Sequence, residues 1–303
     1  GGILMLDYDP PKQGDPMGRE ALLESLYGVV PSLREAAHAW WPSASSCIVN
    51  SDTSEALTGV SGQRVYVEVK DAQDIPRAGK ALASRLRLAG HGRYDVSKSG
   101  SLLPRTLVDT AVWQPERLDF AAGANCEAPL RQDRGAPVRL GEDLPLDTRL
   151  IADLTETEKS RLVQLESEAK AAVAHVVSAN KTTWIAGRVV TLQSKHGLDE
   201  DTARKVAQKA VESRQLLSDF ILIAEDGTEV SVGEILNNRE QWHESRFHDP
   251  LEPEYPDDRI TYANLASGIA PYLYSHAHGG CRYVLHRAAE TVTLSVGGSM
   301  EAT

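Results

Sequence analysis

Ile3-Leu4-Met5-Leu6-Asp7-Tyr8-Asp9 is an apolar run that ends in Asp-x-Asp. It reads as a buried strand whose last turn delivers two carboxylates to one edge of a sheet. Side chains alternate along a strand, so positions 7 and 9 share a face. Two carboxylates held that close raise one another's pKa unless a divalent cation lies between them. The plain alternative is a strand end with a solvated acidic turn. A third acid and a phosphate-holding element would turn the pair into a site.

Working outward, Arg19–Leu26 and Pro31–Trp40 read as helices, the second with Pro in its first turn. Ser46–Val49 reads as a strand, and Gln63–Val69 alternates with β-branched and aromatic residues, a strand by period two. Ile75–Leu88 is an amphipathic helix with Leu82, Leu86 and Ala89 on one side. Thr106–Trp113 reads as another strand, and Arg117–Ala121 as its neighbour or that of a nearby strand. This alternation makes the first part mixed α and β.

Gly135–Asp153, rich in Pro, Gly and Asp, reads as a linker. Beyond it, Thr155-x-x-Glu158 is a capping-box start, followed by Leu162, Leu165, Ala169, Ala172, Val173 and Val176 at helical spacing. Ala179–Gln193 and Asp201–Arg214 continue a helical subdomain. A hairpin follows at Phe220–Ala224 and Glu229–Val232 around Asp226-Gly227. The remaining tail, with DPLEPEY at 249–255 and YSHAHGG at 274–280, reads as loop-rich. The expected division is therefore 1–150 and 151–303, in an α+β fold.

The third acid is Asp109, in the apolar run Leu107-Val108-Asp109 and hence expected on a strand. Asp7, Asp9 and Asp109 would hold one or two Mg²⁺ or Mn²⁺ ions. Between them, Ser61-Gly62 enters the 63–69 strand, where a turn offers backbone N–H groups to an anion and Arg64 adds a guanidinium fork. Lys98 and Arg105, just ahead of Asp109, are further candidates for phosphate contact, against the alternative of solvated loop charges.

An apolar run into Asp-x-Asp, a Ser-Gly turn entering a strand and a later apolar-Asp, in that order over residues 3 to 122, resemble the archaeo-eukaryotic primase superfamily. The branch resembled is that of phage and plasmid primase–polymerases. The resemblance implies a primase-type catalytic core with a sheet like that of RNA-recognition motifs. It implies metal binding by Asp7, Asp9 and Asp109 and nucleotide binding by Ser61, Gly62 and Arg64, with Lys98 and Arg105 as secondary contacts. Nucleoside triphosphates and a single-stranded DNA template would be the substrates. The family's second motif usually carries His where this chain has Gln63 or Arg64, and an arginine cannot exchange a proton near neutral pH. His91, between Gly90 and Gly92, is a candidate substitute. DPLEPEYPDDR and YSHAHGGCRY are similar to the segment that joins primase-like domains to a helicase ATPase, which implies a helicase domain or subunit as partner. No GxxxxGK[ST] occurs in this chain.

Composition is that of an ordinary globular protein, and net charge −11 argues against wholesale coating of nucleic acid. Residues 71–105 run the other way, with seven basic residues against three acidic. No apolar stretch reaches the roughly 18 to 20 residues of a membrane span, so no membrane partner and a cytoplasmic location are expected. Gly1-Gly2 directly ahead of a core strand reads as a cut from a longer chain. Cys47, Cys126 and Cys281 make no disulfide framework. His276, His278, Cys281 and His286 could ligate zinc, but their spacing matches no established pattern and a tight turn is the expected role. Two further functions compete with the primase reading. One is a non-catalytic replication-initiation or helicase-loading module. The other is a haloacid-dehalogenase-type phosphatase, which also opens on Asp-x-Asp but fits poorly with Pro10-Pro11 and with no acidic pair after Lys98.

Overall fold

A computed structural model describes residues 1–11, 14–114, 119, 121–267 and 270–287. The chain forms two compact units, residues 1–95 with 103–173, and residues 96–102 with those from 174 onward. The boundary expected after residue 150 differs from this division.

In the first unit, β1 (Gly2–Tyr8), α1 (Arg19–Val29), β2 (His38–Pro42), β3 (Ile48–Asn50), β4 (Gln63–Val69) and α2 (Ile75–Leu86) follow in order. β5 (Arg93–Val96), β6 (Leu102–Arg105), β7 (Leu130–Gln132) and β8 (Val138–Leu140) come next. The main sheet has the order β1-β4-β2-β8, each neighbour antiparallel. Alternation decides which face is buried. Leu4, Leu6 and Tyr8 of β1 and Val65, Val67 and Val69 of β4 point into one cluster with Leu22 and Leu26 of α1 and Leu82 and Leu86 of α2. Asp7, Arg64 and Trp41 fall on the other face.

Three expectations for this unit need correction. Pro31–Trp40 is not a helix: a single 3₁₀ turn at Pro31–Leu33 leads to β2. His38, Trp40 and Pro42 alternate inward there, and the Trp40 indole donates to the Gln63 side chain at 2.8 Å. A central position beside β4 rewards that alternation more than local propensity rewards a helix. Gly135–Asp153 is not a linker, because β8 pairs with β2, and Leu146 and Ile151 enter the core. A three-residue strand is too short to announce itself by pattern. Thr106–Trp113 is not a strand either. The Thr106 hydroxyl donates to the Val108 carbonyl and accepts from the Val108 N–H, which turns the chain out of β6. Residues Arg117, Leu118 and Phe120 of the expected 117–121 strand lie outside the described residues.

The 41-residue α3 (Glu156–His196) starts at the expected capping box, with the Thr155 N–H on the Glu158 carboxylate and the Glu158 N–H on the Thr155 hydroxyl. Then come α4 (Glu200–Ser213), β9 (Gln215–Leu217), and the expected hairpin of β10 (Ile221–Ile223) and β11 (Glu229–Ser231). The expected helical subdomain with an irregular tail is overturned. After α5 (Val232–Asn237), β12 (Arg246–Phe247), β13 (Thr261–Asn264), β14 (Tyr272–Ser275) and β15 (Cys281–His286) build a five-stranded sheet, order β12-β13-β14-β15-β9. Only the β15–β9 pairing in this sheet is parallel. Phe247, Ala263, Leu273 and Leu285 pack beneath it with Phe220 and Val206. Its strands are short and separated by Pro- and Asp-rich loops, which hid them. The fold is thus mixed α+β in both units. No helix among the described residues is long and apolar enough to cross a membrane.

Candidate functional site

Among the described residues β1 is an edge strand, with β4 as its strand partner. On its other side two carbonyls are taken by the loop after β6. The Asp109 N–H donates to the Asp7 carbonyl at 2.7 Å, and the Trp113 indole donates to the Met5 carbonyl at 2.8 Å. The Asp109 carboxylate accepts from the Ala111 N–H at 3.0 Å, a local turn that leads into the 3₁₀ turn Ala111–Trp113. Asp109 therefore sits on a loop, not on the strand expected of it. The loop covers an otherwise unpaired edge and brings the third carboxylate against the Asp7 backbone in the same step.

The electrostatics follow from that assembly. Burial pushes the Asp7 carboxyl up to about 6; neighbouring Asp9 and Asp109 add to the rise, and Arg64 opposes it. Burial also raises Asp9, reinforced by Asp109 and opposed by Arg105 and Arg64. The three expected acids thus act on one another. Asp9 lies just past the strand end, beyond Tyr8. Among the described residues, no group of three or more His, Cys, Asp or Glu side chains stands in metal-holding geometry.

Arg64 faces Asp7 across the β1–β4 register and Trp41 across β4–β2. Its Nε is 3.5 Å from the Asp7 carboxylate and its Nη1 is 2.5 Å from Asp119. The Tyr66 hydroxyl donates to the other Asp119 oxygen at 2.9 Å. Asp119 escaped the sequence reading. The only signal was indirect: an arginine on a sheet between two acidic motifs calls for carboxylate partners.

Ser61 and Gly62 do enter β4, but the expected anion-facing backbone is engaged inside the protein. The Ser61 N–H donates to the Ser46 hydroxyl at 3.0 Å, and the Gly62 carbonyl accepts from Ser46 and from the Ser43 N–H. A Cβ at Gly62 would lie 2.4 Å from the Ser43 hydroxyl, so glycine is required by the packing of this serine turn. Arg105 stays with the acids, close enough to lower Asp9 and 3.5 Å from Asp95. Lys98 belongs to the second unit, where it pairs with Glu254 at 2.7 Å. His91 lies in the turn after α2, beside Gly90 at φ 89°.

The histidines of the tail engage different partners. His278 meets the Glu252 carboxylate at 3.0 Å, whereas the His276 ring lies against Tyr262 and Tyr274. Burial raises the Cys281 thiol, which keeps it in the protonated form. No family model, curated protein or solved structure matches this chain.

Proposed function

We propose that the chain catalyses metal-dependent nucleotidyl transfer, as a DNA primase or primase–polymerase of the archaeo-eukaryotic type. It would join nucleoside triphosphates on a single-stranded DNA template, in phage, plasmid or mobile-element replication. The observation that carries this reading is the convergence of Asp7, Asp9 and Asp109 at the end of β1, held by the Asp109 N–H on the Asp7 carbonyl. An antiparallel β1-β4-β2 sheet with α1 and α2 on its buried face supports an RNA-recognition-motif-like core.

A carboxylate lifted to about 6 by burial and like charge is one that a divalent cation would relieve, so the charge of the acids favours Mg²⁺ or Mn²⁺, although their side chains do not stand in metal-holding geometry in this structure. Asp7, Asp9 and Asp109 would hold it, and the bound metal would stabilise the attacking 3′-oxygen and the departing pyrophosphate. Arg64, bridging Asp7 and Asp119, holds the Asp7 carboxylate toward its ionised form. Arg105 is the cation best suited to triphosphate, because it already acts on Asp9. Ser61 and Gly62 shape the turn ahead of Arg64 and contribute through that positioning.

A second reading, a replication-initiation or helicase-loading module, draws on the engagement of Arg64 by two carboxylates and of the Ser61 N–H by Ser46. The test is a gel assay of single-stranded DNA with labelled nucleoside triphosphates and Mg²⁺ or Mn²⁺, wild type beside Asp7→Ala/Asp9→Ala. Metal-dependent products from wild type alone support the primase. Nucleotide binding without product favours the accessory module, and neither product nor nucleotide binding returns the phosphatase.

A further inference from the structure

The register of the second unit's sheet lines up Arg246, Tyr262, Tyr274 and Arg282 as one row across β12, β13, β14 and β15. Directly opposed residues share a face, and the intervening positions Phe247, Ala263, Leu273 and Tyr283 are buried, so the row lies on the open face. Tyr262 and Tyr274 have ring centroids 6.0 Å apart at 46°, so neither ring closes flat over the other. His276 adds a third ring, 5.0 Å from Tyr274. Two residues along β14, Tyr272 adds a fourth, with the Arg282 guanidinium 3.9 Å from its centroid. The Arg246 guanidinium stands 5.5 Å from the Tyr262 ring. Both arginines are exposed and the tyrosines half-exposed.

Cross-strand Tyr–Tyr and Arg–Tyr pairs stabilise sheets on their own account. They do not explain why both outer rungs are cationic and none of the four carries a carboxylate, in a chain of net charge −11. Aromatic faces flanked by guanidiniums, spread over an open sheet, are complementary to one partner chemistry: unpaired bases that stack, on a backbone of phosphates.

We propose that the open face of the β12-β13-β14-β15 sheet binds single-stranded DNA. Bases stack on Tyr262 and Tyr274, and Arg246 and Arg282 neutralise the phosphates on either side. The choice of DNA over RNA rests on the template-directed reading above; the stacking surface does not. The second unit is thereby a template-holding unit, a role separate from the carboxylates of the first.

The experiment is fluorescence anisotropy with a labelled oligo-dT, without nucleotides or metal, on the whole chain. Tyr262→Leu/Tyr274→Leu should weaken binding on the order of tenfold per ring. Arg246→Gln/Arg282→Gln, at exposed positions, should weaken it and lower the salt slope by about 0.7 for each phosphate no longer neutralised. Binding at wild-type strength by either double variant, with thermal unfolding unchanged, overturns the proposal. If the tyrosine pair compromises folding, the arginine pair decides. Equal affinity for a duplex also overturns it, and tighter binding of oligo-rU overturns the choice of DNA. Primer synthesis that fails while row-dependent binding persists counts against the primase and not the platform. Primer synthesis with row-independent binding counts against the platform alone.

Discussion

In the β1-β4-β2-β8 sheet, the far end of the edge strand gathers Asp7, Asp9 and Asp109, with Arg64 bridging Asp7 to Asp119 and Arg105 acting on Asp9. In the β12-β13-β14-β15 sheet, the open face spreads two arginines at the outside of a row of rings. Each sheet buries one face on helices and aliphatic side chains, yet the exposed chemistry is opposite in sign. Backbone pairing and burial therefore decide where an open surface exists, and the outward half of each alternating pattern decides what it can attract. The first surface concentrates like charge and asks for a cation; the second disperses positive charge among aromatic faces and asks for an anion with bases.

The largest effect that could break this contrast is on catalysis. Asp9→Ala, which removes a carboxylate from the strand end, should lower primer synthesis by at least about a thousandfold, since metal stabilisation of transition-state charge is worth several kcal/mol. Retained activity in the gel assay would remove the acidic end from the chemistry. Next is Trp113→Ala. The ring is buried, packs against Gly79 of α2 so closely that a Cβ there would lie 2.4 Å from it, and donates to the Met5 carbonyl. Its loss should cost about 3–5 kcal/mol in denaturant unfolding and release the loop that carries Asp109. A small change would mean that the edge of β1 does not depend on this cover.

Two smaller effects, both on stability, should respond to pH with opposite signs. Asp7 is raised from 3.8 to about 6 in the fold, so its ionised form is disfavoured there. The penalty is absent below about pH 4, grows between 4 and 6, and is complete above 6. Asp7→Asn should accordingly melt higher than wild type at pH 7.5 and not at pH 4, and added Mg²⁺ should narrow the gap. No gain at pH 7.5 would mean that the fold does not disfavour the ionised Asp7 carboxylate. In the second unit, burial raises the Glu252 carboxyl, but hydrogen bonds from His278 and Ser97 outweigh it and bring the group down to about 2. Its stabilisation is complete above about pH 4.5 and is lost as the pH falls toward 2. Glu252→Gln should cost on the order of 1 kcal/mol at pH 7, screening by solvent included, and little at pH 2. A cost independent of pH would assign the residue to packing.

β1, β4, α2, the Thr155–Glu158 cap and the β10–β11 hairpin were legible because each is written in a local pattern: period two, period 3.6, a cap three residues apart, an Asp-Gly turn. The mutual influence of Asp7, Asp9 and Asp109 was also legible, as order and residue type along the chain. Its mechanism was not. That Asp109 arrives on a loop depends on a hydroxyl turn at Thr106 and on the Asp7 carbonyl that needed a donor. That Arg64 meets Asp119, 55 positions away, is a contact that no local pattern announces. β2, β8 and the sheet after Arg246 were misread for the same reason. Strands of two to six residues carry too little periodicity to declare themselves, and their stability comes from neighbours far along the chain. By itself the sequence determined which segments alternate, which helices begin where, and which acids and arginines were on hand. Only the tertiary structure decided which edges were left to cover and which faces stayed open, because hydrogen bonding and burial between remote segments settle both.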